Sequence, residues 1–152
     1  MRHWVWVFGE IEGLRWVLAH DTMAFAAHAA ARIAPMGAGD RAVLYVTRGA
    51  HHNPTRDVAR LGGLVTVLGT PQRPRRAIRI AGREFTHTVA IRVDVALGER
   101  SGPEVKPLAA ALDRVKKPPV WGQYFRGSPI AVSEHDFEVF AAAVRQGVGS
   151  SS

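Results

Sequence analysis

The side chains best equipped for chemistry in this 152-residue chain are arginines and aromatics. Twenty lysines and arginines stand against thirteen acidic residues, a formal charge of +7. The sequence pI is about 11.0. A basic surface of this kind attracts polyanions over about a Debye length, ~10 Å at 0.1 M salt. Nucleic acid is the expected partner, although an arginine-rich composition also follows from a GC-rich genome. Five arginines, at 73, 75, 76, 79 and 83, fall within TPQRPRRAIRIAGREF (70–85). That segment is punctuated by proline and has little apolar content to hold it inside, so Arg73, Arg75 and Arg76 suit a phosphate track. Tyr45 and Thr47 lie two residues apart in RAVLYVTR (41–48) and so share one face of a strand. A buried ring and a hydroxyl at a strand end can form one wall and one hydrogen-bonding group of a cleft. Arg48 follows them as a candidate phosphate contact.

Other chemistries lack their residues. There is no cysteine, which excludes disulfides, thiolate metal sites and a cysteine nucleophile together. Of seven histidines only His51 and His52 are neighbours, and no His-Glu-x-x-His spacing occurs, so neither metal nor cofactor is expected. No nucleophile, base and orienting group appear in recognisable order, and the chain does not read as an enzyme. No apolar run approaches the ~20 residues of a membrane helix, and the N-terminus does not read as a signal peptide. A cytoplasmic location is expected.

The elements that must position these side chains follow from the pattern. HWVWVF (3–8) is an aromatic and β-branched strand, apolar on both faces and closed by Gly9. GLRWVLAH (13–20) suits a short helix, and the alanine-rich TMAFAAHAAARIA (22–34) a second one ending before Pro35. ARLGGLVTVLG (59–69) is a strand whose Gly62-Gly63 pair fits a bulge. FTHTVAIRVDVAL (85–97) alternates with period two, placing Val89, Ile91, Val93 and Val95 on one face. Pro107 opens a short helix, and SEHDFEVFAAAV (133–144) is a final one capped by Ser133. Residues 1–146 are expected to form one domain, with a disordered tail over 147–152. Strands joined by short loops pair mainly antiparallel, and five or six of them curl into a partly open barrel with helices around it, an α+β fold.

Three pieces carry a family resemblance: the aromatic first strand HWVWVF, the Gly-Asp turn into an apolar strand in GDRAVLYVTR, and the closing YFRGSPIAVSEHDFEVF. In this order and spacing they resemble the EVE domains of the PUA-like superfold, relatives of the YTH, ASCH and PUA domains. The resemblance covers roughly residues 3 to 145. It departs from the family before the second helix, where many members have Trp-Asp-Gly-Val-Arg-Asn and this chain has DTMAFAAH; Met23 or Phe25 stands in for the tryptophan. It implies a module that holds a modified base of DNA or RNA, such as a modified cytosine or adenine, in an aromatic cleft. Phe8, Gly9, Trp16, Phe25, Tyr45, Thr47 and Trp121 are the expected cleft residues. Arg48, Arg73, Arg75, Arg76 and Arg126 are the expected phosphate contacts. Among relatives, ASCH amidohydrolases would instead use Thr47 on acylated nucleosides, and a small-molecule or protein ligand could occupy the same cleft. Oligomeric state is left open.

Overall fold

The structure, a computed structural model, describes residues 1–150. Its eight strands are β1 (His3–Phe8), β2 (Thr22–Phe25), β3 (Arg41–Val46), β4 (Arg60–Val67), β5 (Ile78–Ile80), β6 (Arg83–Phe85), β7 (His87–Ala96) and β8 (Ile130–Val132). The α-helices are α1 (Ile11–His20), α2 (Ala30–Ile33) and α3 (Glu134–Ser150), joined by 3-10 turns at Ala27–Ala29, Lys106–Ala111 and Pro118–Phe125. Six strands form one curled sheet in the order β2-β7-β4-β3-β1-β8, and β5 pairs with β6 alone.

The pairing is antiparallel except between β1 and β3, which run parallel from His3 beside Arg41 to Phe8 beside Val46. A parallel pair needs a long crossover, and α1, β2 and α2 supply it. Both strand ends therefore arrive at the same edge of the fold, where the Thr47 N–H donates to the Phe8 carbonyl at 3.1 Å. The Gly62-Gly63 bulge is real. A Cβ at Gly63 would collide with the Val95 carbonyl oxygen, and the register slips at Leu44/Tyr45 and again at Leu64/Val65.

Two apolar cores fill the two faces of the sheet. Trp4, Trp6 and Phe8 pack with Ile11, Leu14, Val17, Met23 and Phe25 on one side. Val5, Val43 and Tyr45 pack with Leu61, Phe125, Phe137 and Phe140 on the other, beneath α3. At the end where β1 and β3 begin, buried Asp40 ties the chain together. Its Oδ1 accepts the Arg2 N–H at 2.9 Å, while Oδ2 accepts the Trp4 indole N–H at 3.1 Å and the Gly37 N–H at 3.0 Å.

Two sequence expectations change. The alanine-rich segment is not one helix from 22: Thr22–Phe25 is strand, pinned antiparallel to β7, because burying Met23 and Phe25 outweighs the helix preference of their alanine neighbours. Ser133 does cap α3, accepting the Asp136 N–H at 3.1 Å, but that helix continues to Ser150. Residues 147–150 of the expected disordered tail are thus helical, and 151–152 lie outside the described residues.

Candidate functional site

The curl of the sheet brings its two ends face to face without pairing them. Trp6 of β1 meets Phe25 of β2 edge to face, ring centroids 5.7 Å apart at 82°, although the two strands are not hydrogen-bonded neighbours. Into this open seam falls a cavity of about 300 Å³. Its walls are Val7 and Phe8 from β1, Val17 from α1, Met23 and Phe25 from β2, and Ile80 and Phe85 from the β5–β6 hairpin. That volume is at the small end of ligand pockets, which run about 300–1,000 Å³, and suits one planar ring better than an extended ligand.

The hairpin closes one side. Its two turn residues, Ala81 and Gly82, both have positive φ (51° and 77°), the geometry of the tight turns whose twist matches antiparallel strands. The turn points Arg83 and Phe85 back over the cavity, with the Arg83 guanidinium 5.9 Å from the Phe85 ring.

Polar groups converge on the apolar walls. Ser128 Oγ accepts the Val7 N–H at 3.1 Å, which anchors the hydroxyl and leaves its proton free to donate. Glu10 and His28 also line the space. So does backbone: β2 is a sheet edge, and the Asp21 carbonyl accepts the Ile91 N–H at 3.1 Å. That phase turns the backbone groups of Met23 toward β7 and those of Ala24 away from it, and Ala24 and Ala26 line the cavity. An unpaired strand edge thus offers a donor and an acceptor to whatever enters.

Cations gather at the rim. Gly127 also lines the cavity, with φ of 78°, and a Cβ there would sit 3.1 Å from Arg32 Nη1, so the missing side chain lets the Arg32 guanidinium lie against the rim. Arg126 beside it is exposed. Arg73, Arg75 and Arg76 are exposed on the segment that leads into the hairpin, and Arg48 follows Thr47 at the edge where β1 ends.

Of the expected cleft residues, Phe8, Gly9 and Phe25 line this cavity, whereas Trp16, Tyr45, Thr47 and Trp121 do not. Tyr45 belongs to the other core, its ring stacked on Phe125 at 5.3 Å, because the period of the strand that buries Leu44 and Val46 beside β1's tryptophans sends Tyr45 the other way. Burial pushes its phenol up to about 12. Trp121 packs against that same core. Thr47 faces a second, smaller cavity of about 50 Å³ on another side of α1. There Arg15 holds Glu99 through two bonds of 2.6 and 2.8 Å, and Arg100 holds Asp57 at 2.9 and 3.2 Å. The Arg15 bond holds the Glu99 carboxyl down at about 2. Missing from the sequence expectation were Glu10, His28, Arg32 and Phe85. Phe85 was legible as the end of an arginine-rich edge strand; the others carry no local signal.

One group has metal-ligand composition. Ligand atoms of Asp113, His135 and Asp136 lie within 4.8 Å of one another. Two of the three are already engaged: Asp136 accepts the N–H groups of Asp113 at 2.6 Å and Arg114 at 2.9 Å, and His135 Nε2 lies 2.9 Å from the Ala111 carbonyl, a bond that raises its pKa.

No family model matches the chain, and no curated protein does. Solved structures do. A YTH domain-containing protein, Mmi1, solved with RNA, superposes at a TM-score of 0.66 over 99% of this chain and 85% of its own, with 8% identity. The fold is that of the YTH domains. The YTH domain of Zygosaccharomyces rouxii MRB1, in complex with N6-methyladenosine RNA, gives 0.62 at 11% identity over 96% and 86%. Rpa0253 from Rhodopseudomonas palustris gives 0.61 at 16% identity over 96% and 94%. At such identities the likeness to YTH domains is one of architecture.

Proposed function

We propose that this protein captures a single nucleobase, turned out of its strand, in the seam cavity, and that it belongs to the EVE branch of the PUA-like superfold. One observation carries the proposal: a ring-sized apolar slot, walled by Phe8, Phe25 and Phe85, is met by Ser128, Glu10 and a free strand edge and is rimmed by arginines. Each part has a physical task. Aromatic walls stack on a base, worth about 1–3 kcal/mol per base. The Glu10 carboxylate and the edge carbonyls accept hydrogen bonds and favour a base with an exocyclic amino group, cytosine or adenine. Arg83, Arg32 and Arg126 at the rim hold the phosphates on either side. A flipped base costs a few kcal/mol of unstacking, least in single strands. A methyl or similar substituent on the base adds apolar area that the phenylalanine walls bury, so a modified base is the preferred ligand. Mmi1 and MRB1, of the same architecture, were solved with RNA, the latter with N6-methyladenosine RNA, which supports RNA as a ligand class for this fold. Thr47, on which an ASCH-like hydrolysis would rest, lies at the other cavity, and no lysine lines this one.

The test is binding of single-stranded DNA and RNA oligonucleotides that are unmodified or carry 5-methylcytosine, 5-hydroxymethylcytosine or N6-methyladenine, at two salt concentrations. A preference for one modified base that is lost in Phe85→Ala is expected. Equal, salt-sensitive binding to every oligonucleotide would refute base capture and leave only a basic surface.

A further inference from the structure

Beside the cavity, on the solvent side of α1, two rings lie stacked. Trp16 and His20 are parallel within 16°, with centroids 4.3 Å apart. His20 is exposed and Trp16 half-buried against the core. The pair is one helical turn long, and its position on the helix is fixed by what lines the cavity. Gly13 and Val17 of α1 face it. At about 100° per residue His20 lies roughly 20° around the helix from Gly13 and 60° from Val17. Ile11, Leu14 and Leu18 point elsewhere, toward the second cavity. The stacked rings therefore lie on the helix face next to the one that lines the cavity, and β5, whose Ile80 lines the cavity, lies against the same helix.

The outer ring is held in place. His20 Nδ1 lies 2.7 Å from the Trp16 carbonyl in the last turn of α1, so Nδ1 carries the proton and donates, fixing the ring plane parallel to the indole. Trp16 supports it from beneath. An aromatic face already immobilised loses little side-chain entropy when something stacks on it. The surroundings fit one occupant: exposed, cationic Arg73, Arg75 and Arg76 lie on the segment leading into β5, so a polyanion that carries flat rings is complementary in both charge and shape.

We propose that the His20–Trp16 stack is a second nucleotide subsite, on which the base adjoining the captured one stacks. This rests on base capture at the seam. It makes the protein a reader of at least two consecutive nucleotides, with the second read by its π-face alone and so without sequence preference.

The experiment uses RNA and DNA pentamers with a central N6-methyladenine or 5-methylcytosine, the same pentamers with abasic sites on both sides of the centre, and the corresponding nucleoside monophosphates. Wild type, His20→Ala and His20→Tyr are titrated against each. The expected result is a loss of five-fold or more in affinity for the intact pentamer in His20→Ala, no difference between His20→Ala and wild type on the abasic-flanked pentamer or the monophosphate, and recovery in His20→Tyr. Tyrosine restores a ring without the Nδ1 bond, so recovery separates stacking from helix-end bonding. Equal binding of the intact pentamer by His20→Ala and wild type would overturn the second subsite, as would an equal loss on intact and abasic-flanked strands. Failure of wild type to bind any of these ligands would instead remove base capture itself.

Discussion

Asp40→Asn puts the scaffold beneath the site to a quantitative trial. The carboxylate accepts three N–H groups: Arg2 on Oδ1, and Trp4 and Gly37 on Oδ2. An asparagine of the same shape has one acceptor oxygen and one donor nitrogen. Its better orientation keeps oxygen toward Trp4 and Gly37 and turns NH2 against the Arg2 N–H. One bond to a charged acceptor is then lost, at about 1.5–3 kcal/mol, and two others fall from charged to neutral strength, at about 1 kcal/mol each. The sum is about 3.5–5 kcal/mol, a large part of the ~5–15 kcal/mol that holds a domain of this kind together. For 150–250 residues each kcal/mol moves Tm by about 2–4 °C, so a fall of roughly 7–20 °C is expected. Urea and thermal unfolding followed by tryptophan fluorescence measure it, with Trp4 itself at the mutated contact. Asp40 stands where β1 and β3 begin and the cavity where β1 ends, so oligonucleotide affinity well below Tm should stay within two-fold of wild type. A loss under ~1 kcal/mol would refute the assignment of Asp40 as the anchor of both strands.

Three further outcomes follow from the site and its surroundings. Arg83→Gln should weaken binding to all oligonucleotides alike and lower the slope of log K against log salt by about one, as loss of one phosphate contact requires; an unchanged slope would remove Arg83 from the backbone contacts. Glu99 has its pKa lowered from the usual 4.5 to about 2, so its contribution to stability is present above pH 4.5 and disappears as pH falls toward 2; Glu99→Gln should flatten the stability profile in that window, and identical profiles would refute the role of the Arg15 bond. Tyr45 has no hydrogen-bond partner for its hydroxyl among the described residues and a pKa raised from 10.0 to about 12. Folding therefore weakens as pH rises above 10, where the unfolded chain ionises first, and Tyr45→Phe should be neutral at pH 7 and remove that alkaline loss.

How much of this was legible depended on the range of the interactions. β1, β3, β4 and β7 follow from apolar runs and alternation, which local sequence carries, and Ser133 announces α3 three residues before the Asp136 N–H it accepts. β2 was missed because its alanines favour a helix and only pairing with β7, more than sixty residues later, overrules them. The site suffers from the same limit. Phe8 and Gly9 were found because they close the first strand beside the seam and Phe25 through the family resemblance, whereas Tyr45 and Thr47 were placed there by the polarity of a strand end alone. Which face a strand turns to which core is settled by its neighbours in the sheet, and the bulge between Leu44 and Tyr45 falls at that point. Arg32 reaches the rim through a distant helix and the space left by Gly127, a contact that no local pattern encodes.

The β5–β6 hairpin hangs from the main sheet by a single narrow stem, where Gln72 and Thr88 exchange two backbone bonds of 2.7 and 2.8 Å. Beyond that stem Thr86 donates to the Phe25 carbonyl at 3.0 Å, while β5 and β6 pair only with each other, yet the hairpin supplies Ile80, Arg83 and Phe85 to the cavity. The hairpin's share of the cavity wall is consequently written in a stretch apart from the sheet residues Phe8, Met23 and Phe25 that both wall the cavity and build the core. A library that varies residues 73–85 while keeping Gln72 and Thr88 would alter what the protein accepts without re-solving the barrel, the same division of labour by which an antibody framework tolerates new loops.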